Sequence, residues 1–186
     1  MPLLTRGVFS QTAVRARRVG LLSAAAPFTD TSEVVVGLTA GFSKRGYVVG
    51  SSLLFERRAA EAHPDRLPRL VDLKSQTDIM ITNAYAAARV IKDRSNVPVV
   101  AITGADPVAT GLIDSLARPG GRITGIGEVA AELSAKRLEV LKDTFPGLRK
   151  IAMLWNADDL GMTGRYKNAE AAARTLGFEI QPLGSA

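Results

Sequence analysis

The feature that most constrains this chain is a regular alternation of short apolar runs with amphipathic stretches, from residue 18 to residue 127. Val19, Leu21 and Leu22 read as a buried strand that ends in the small-residue loop Ser23–Ala24–Ala25–Ala26–Pro27. Thr31 or Ser32 can cap a helix whose apolar face is Val35, Leu38 and Phe42, at spacings of three and four. Gly46, after Lys44 and Arg45, is a helix stop. A second strand is expected over Ser52–Glu56 and a helix from Pro64 to about Ser75, with Leu67, Leu70, Val71 and Lys74 in register. Asp78–Thr82 is a third strand, and its continuous Ile79–Met80–Ile81 suits burial on both faces.

The pattern continues with a helix over Ala84–Arg94, a fourth strand over Val97–Ile102, a helix over Pro107–Ala117 entered through Asp106, and a fifth strand over Ile123–Ile126. Strand–helix repetition of this kind predicts an α/β fold: a parallel, doubly wound sheet with helices on both faces. The first lobe then covers residues 18–127, behind a basic N-terminal arm of residues 1–17. Residues 128–186 read differently. A helix is expected over Glu132–Phe145, with Leu138, Leu141 and Phe145 on one face, followed by a strand over Ile151–Trp155. An alanine-rich helix over Thr163–Leu176 is stopped by Gly177, and a last strand covers Phe178–Leu183. Two strands and two helices open a second α/β lobe without completing it, because a two-stranded parallel sheet leaves both edges unpaired.

Composition excludes several classes. A 46% hydrophobic content supports a packed core rather than disorder. With no cysteine there is no disulfide framework, thiolate catalyst or common zinc-ribbon pattern. No run of 18 apolar residues exists to span a membrane. The net charge is +6, yet four arginines in the first twenty residues (Arg6, Arg15, Arg17, Arg18) supply most of it. The remaining body is nearly balanced, which argues against a nucleic-acid binder with its basic stripe. Those arginines and Gln11 also interrupt any apolar core that a secretory signal would need, so no signal peptide is visible.

Enzyme and cofactor signatures are missing. There is no GxxxxGK[ST] loop, no GxSxG elbow and no spaced GxGxxG after the first strand. The lone His63 precedes Pro64 in a polar segment and reads as an exposed loop residue. Asp158–Asp159 is a solvated turn rather than a metal site, since adjacent acids point apart and no histidine joins them. The expectation is a protein that is not an enzyme and needs no cofactor.

Fold logic points to ligand binding instead. In open α/β sheets, ligands sit outside the carboxyl ends of the strands, at loops leading into helix N-termini. Here those loops are Ser23–Ala25, Thr82–Ala84 and Thr103–Asp106. Asp106 before Pro107 fits both a helix cap and a ligand contact; Asn83 carries the same two readings. Trp155, beside Ile151, Met153 and Leu154, is a core residue or a ligand platform.

One long segment is recognisable. Asp106-Pro-Val-Ala-Thr-Gly-Leu-Ile-Asp-Ser-Leu-Ala-Arg-Pro-Gly-Gly-Arg-Ile-Thr-Gly-Ile126 resembles the DPVGTGLVxSLARPGGNxTG stretch of ABC-transporter substrate-binding proteins, in the branch whose better-known members bind tryptophan or tyrosine. Glu132-Leu-Ser-Ala-Lys-Arg-Leu-Glu-Val-Leu-Lys142, Pro146-Gly-Leu148 and Ile151-Ala-Met-Leu-Trp-Asn156 are similar to the block that follows it. Gly46-Tyr-Val-Val-Gly50 and Pro64-Asp-Arg-Leu-Pro68 match the GYVEG and DPDRLP stretches.

The resemblance implies a type I periplasmic-binding-protein-like fold, two lobes that close by a hinge on an amino acid or related carboxylate. It also implies a periplasmic location and delivery of the ligand to ABC permease and ATPase subunits. Its cleft-facing positions are Ser23, Asn83, Thr103 and Asp106 in the first lobe and Asn156 in the second. Where the family has a Gly-Thr-Pro-Ala turn this chain has Asn83-Ala-Tyr-Ala86, so Tyr85 is expected to reshape the pocket or stack on the ligand. The helix before Asp78 is about two residues shorter than in the family, whose members carry two full lobes. Because this chain ends early in the second lobe, the expectation is a truncated clamp with an exposed apolar face within residues 150–183. A cytoplasmic small-molecule sensor of the same fold is the rival reading, and no helix-turn-helix precedes residue 18 to support it.

Overall fold

In the computed structural model, which describes residues 15–72, 76–127 and 132–185, β1 (Arg17–Ser23), α1 (Glu33–Ser43), β2 (Leu53–Ala59), α2 (Leu67–Asp72), β3 (Ile79–Thr82), α3 (Tyr85–Arg94), β4 (Val99–Thr103) and β5 (Ile123–Gly127) build one unit. All five strands run parallel, in the order β2-β1-β3-β4-β5. A second unit holds α4 (Glu132–Thr144), β6 (Lys150–Asn156), α5 (Leu160–Leu176) and β7 (Glu179–Ser185), with β6 and β7 also parallel. The first fourteen residues of the basic arm, Leu73–Ser75 and residues 128–131 lie outside the described residues. Among the described residues, no helix is long and apolar enough to cross a membrane.

Side-chain alternation along the strands divides the core in two. On β1, Val19 and Leu21 join Phe28, Val35, Leu53 and Ile81 beneath α1. Leu22 points the other way and packs with Met80, Ala88, Ile91 and Val99 beneath α2 and α3. A sheet clad on both faces needs apolar residues at successive positions, which is why Gly20–Ser23 is buried without a break.

The strand order has a functional consequence. After β1 the chain crosses to β2 on one side, then returns past β1 to β3 on the other. In open sheets ligands bind at the carboxyl ends of the strands where the order reverses, here those of β1 and β3.

Several elements depart from the sequence reading. The helix expected over Pro107–Ala117 is a chain of turns. Leu112 and Ile113 both donate to the Pro107 carbonyl, at 2.8 and 3.0 Å, and Gly111 adopts a left-handed φ of 68°. That reversal drives Leu112 into the core, where it is 2% exposed, and an extended helix could not do so. The helix begun at Pro64 divides into a 3₁₀ turn, Pro64–Arg66, and α2, with Pro64 supplying the fixed φ of the first turn. Strand β2 runs on to Ala59, beyond Glu56. Helix α5 starts at Leu160, three residues before Thr163, because Asp159 caps it and accepts a hydrogen bond from Met162 N at 3.0 Å. Strand β7 occupies Glu179–Ser185, leaving Phe178 buried in the turn that precedes it.

In the second unit the register pairs Leu154 with Leu183, and both are exposed, at 74% and 43%. The opposite face of this sheet is covered by α5, through Ala169 and Ala173.

Two glycines give opposed expectations. A Cβ at Gly125 would lie 1.8 Å from the Ala101 carbonyl oxygen of the neighbouring strand, a clash with backbone that cannot yield. Gly125→Val should destabilise the fold by about 3 kcal/mol or more. A Cβ at Gly37, mid-way along α1, meets nothing within 4 Å, so Gly37→Ala should stabilise by about 0.5–1 kcal/mol. Chemical denaturation of both variants checks this pair.

Candidate functional site

The residues singled out in the sequence stand at one edge of each sheet. Ser23 ends β1, Asn83 follows β3, Thr103 ends β4 and Asp106 lies three residues further on. Asn156 ends β6. Several of these side chains first shape their own loops. The Ser23 hydroxyl accepts from Ala25 N at 3.1 Å, the Thr103 hydroxyl from Ala105 N at 3.1 Å, and the Asn156 carbonyl from Asp158 N at 2.9 Å. Ser23 and Thr103 are buried, whereas Asn83, Asp106 and Asn156 are exposed. Ala84, not Asn83, is the N-cap residue of α3, and no side chain caps that helix. Asn83 is therefore an exposed amide at the carboxyl end of β3.

Asp106 does cap a turn, though not a helix. Its Oδ1 accepts from Val108 N at 2.9 Å and Ala109 N at 3.1 Å. The turn it opens is held from α3. The Tyr85 hydroxyl donates to the Thr110 carbonyl at 3.3 Å, and seven residues along, Lys92 Nζ donates to the carbonyls of Gly111 and Leu112 at 2.7 and 3.0 Å. Two side chains two helical turns apart thus fix three consecutive carbonyls. Tyr85 is buried, at 9% exposure, so its ring offers little surface for a ligand and its hydroxyl anchors the loop.

The second unit reaches the same loop. Arg165, on α5, donates from Nε and from an Nη to the Gly104 carbonyl, at 3.2 and 2.9 Å. One turn earlier, Gly161 is buried against Ala105, and a Cβ there would come within 2.7 Å of the Ala105 Cβ. The absence of a side chain lets α5 lie directly on the loop. Between them is a cavity of about 500 Å³, with Asp106, Ala109 and Thr110 on one wall and Gly161, Gly164 and Lys167 on the other. That volume lies within the roughly 300–1,000 Å³ of small-molecule sites. An apolar hollow beside β5, of about 80 Å³, falls well below it.

Trp155 is half-buried and stacks on Tyr166 of α5, with centroids 3.9 Å apart and planes 13° off parallel. The Tyr166 hydroxyl donates to Glu170 at 3.1 Å; burial first, then that carboxylate, raise its pKa. One face of the indole is thereby occupied within the second unit. His63 is exposed in its loop, as its polar setting suggested.

Sequence reasoning did not find Gly161, Arg165 or Lys167. The available signal was their spacing: Gly161, Gly164 and Lys167 recur every three residues, placing small residues and a cation along one strip of a helix.

Comparison with known proteins bears on family and fold. The profile of the family described as ABC transporter substrate binding protein matches residues 29–183. The chain belongs to this family. A "Tyrosine-binding protein" of Clostridioides difficile (strain R20291) is 27% identical over 106 residues, which cover 57% of this chain and 29% of that protein. A conserved domain protein from Vibrio cholerae O1 biovar El Tor superposes with a TM-score of 0.83 at 18% identity, covering 92% of this chain and 58% of that one. The ABC domain from Streptococcus pneumonia in complex with L-Trp gives 0.76 at 18% identity, over 91% and 57%. At such identities the likeness shows the fold, that of type I periplasmic binding proteins. The chain spans somewhat more than half the length of these two solved chains.

The Gly161–Ala105 contact and the Arg165–Gly104 bonds make a joint prediction. Gly161→Val should push α5 off the loop and enlarge the radius of gyration in small-angle X-ray scattering, with circular dichroism unchanged. An unaltered scattering curve would show that this contact does not hold the two units together.

Proposed function

We propose that this chain is the solute-binding component of an ABC importer, holding a small amino-acid-like ligand between its two units outside the cytoplasm. Permease and ATPase subunits would receive that ligand. The observation that carries the reading is the cavity of about 500 Å³ at the carboxyl ends of the strands, walled on one side by the loop after β4 and on the other by α5. Walls from separate units allow a ligand to be enclosed by their approach, which is how hinge-closing binding proteins exclude water. The relatives whose names speak of tyrosine and L-Trp support an amino acid as the ligand class. No likeness reported above supports the cytoplasmic sensor.

In this reading the first-lobe contacts are Ser23, Asn83, Thr103 and Asp106, with Asn156 across the cleft. Of these, Asp106 lines that cavity itself, while Asn83 stands exposed at the end of β3 and Ser23 and Thr103 are engaged in loop-shaping bonds. Tyr85 contributes by fixing the 110 carbonyl rather than by stacking.

A thermal-shift screen of the chain against the twenty amino acids and benzoate tests the proposal. A ligand bound only by the native state should add about 2.7 kcal/mol at a hundredfold excess over its dissociation constant. A cooperative melt that no compound shifts would count against solute binding by this chain. For a compound that does shift it, Asn83→Ala should weaken binding by about 1–3 kcal/mol. Unchanged affinity would remove Asn83 from the site.

A further inference from the structure

Parallel pairing sorts the charges of the first unit by edge as well as its loops. The carboxyl ends of the strands carry the candidate site. The amino ends, on the far side, gather the chain entering β1, the turn between α1 and β2, the segment between α3 and β4, and the loop that enters β5. Backbone bonds tie neighbouring segments together there: Arg17 N donates to the Ser52 carbonyl at 2.9 Å, and Val99 N to the Arg122 carbonyl at 2.8 Å.

Most acids of this edge are already paired. Asp72 meets Arg94 at 2.8 Å, Asp78 meets Arg15 at 3.7 Å and Asp93 meets Arg89 at 3.0 Å. Asp114 is the exception among the described residues. The cations are in surplus: Arg17, Lys44, Arg45 and Arg118 are exposed, and none has an ion pair among the described residues. A body that is nearly neutral by count is thus polarised in space, and the arm that carries Arg6 joins it at this edge.

Apolar side chains stand among these cations. Leu116 is 77% exposed on the turn Ser115–Arg118, and Val48 is 60% exposed on the turn before β2, with Val49 beside it. Both turns are braced from within. The Ser115 hydroxyl donates to the Arg118 carbonyl and accepts from the Arg118 N–H, each at 3.0 Å, and the Ser52 hydroxyl accepts from Val48 N at 2.9 Å. They lead into β5 and β2, the outermost strands, roughly 19 Å apart across four strand spacings.

The two kinds of group together select the partner. Nucleic acid would answer the cations, but its bases need exposed aromatic platforms. Tyr47, the one aromatic of this edge among the described residues, is packed edge-on against Phe42, with centroids 5.9 Å apart. A bilayer with anionic headgroups answers both, taking arginine and lysine at the phosphates and leucine and valine in the interface.

We propose that the amino edge of the first unit docks on an anionic lipid bilayer, with Leu116 and Val48 entering the interface and Lys44, Arg45 and Arg118 on the headgroups. The carboxyl ends of the strands then face away from the lipid. Membrane docking and solute binding use opposite ends of the sheet, and neither depends on the other.

The test is co-sedimentation of the whole chain with vesicles of phosphatidylcholine, alone or with about 30% phosphatidylglycerol. Wild type should bind only the anionic vesicles, at least about tenfold more weakly in about 0.5 M salt than in about 0.05 M. Lys44→Gln with Arg118→Gln should weaken binding by about tenfold or more, and Leu116→Ser by about three- to tenfold. Lys136→Gln with Arg137→Gln removes the same charge from exposed positions on α4 and should bind like wild type. Circular dichroism melts of all three variants should match wild type.

Failure to bind the anionic vesicles would overturn the proposal. So would full binding by the Lys44 and Arg118 variant, which would leave the arm as the attachment, or an equal loss in the α4 variant. Indifference to Leu116→Ser would overturn the bilayer in favour of a purely ionic partner, which a DNA duplex of about 20 base pairs would then match in affinity. Each of these outcomes leaves solute binding standing.

Discussion

Parallel pairing is the constraint from which the rest of this structure follows. Every neighbouring strand pair in both sheets runs the same way, so each strand must return through a crossover before the next begins. All loops that follow strands consequently gather at one edge of each sheet. Residues far apart in sequence, such as Ser23, Asn83 and Thr103, arrive there without any contact between them having to be specified. The price is a loop-rich edge whose backbone must be held by something other than a ladder.

Basic side chains hold much of the backbone outside the ladders, at both edges of the sheets, and they do it through main-chain carbonyls. Arg58 donates to the Leu70 carbonyl at 2.6 Å, Lys92 to those of Gly111 and Leu112, Arg122 to that of Ser95 at 2.7 Å, and Arg165 to that of Gly104. Lys142 likewise donates to the Leu176 carbonyl at the end of α5. A charged donor on a neutral acceptor makes a stronger bond than a neutral pair, and the orphan carbonyls of turns and helix ends are the natural recipients. Part of the basic surplus of this chain thus works within the fold, pinning turns to the helices beside them.

The elements legible in the sequence were those whose pattern reflects burial on the sheet: β1, β3 and β4 lie where short apolar runs announced them, α1 where Val35, Leu38 and Phe42 share a face, and α3 where the strand–helix alternation required a helix. The segment after Asp106 was not legible, because Pro107 opens a turn that looks like a helix start and a left-handed Gly111 ends it at once. The strand-end residues were found by fold logic, yet what they do locally was not, since the hydrogen bonds of Ser23 and Thr103 depend on loop geometry. Lys167 was invisible for a different reason. A lysine on an exposed helix reads as a solvated cation, and only the packing of Gly161 on Ala105 turns that strip of α5 toward Asp106.

The acceptor that Arg165 uses is a backbone oxygen, and this has a bearing on how such a protein can change. No substitution at position 104 removes a main-chain carbonyl, so this hydrogen bond between the two units does not depend on the side chain at that position, unlike the packing of Gly161 on Ala105. Under the proposed function, the atoms that would set solute preference and this backbone link are therefore different. Loop side chains facing the cavity could then change with the ligand while the Arg165–Gly104 bond stays, which would separate the evolution of selectivity from that of the contact between the units.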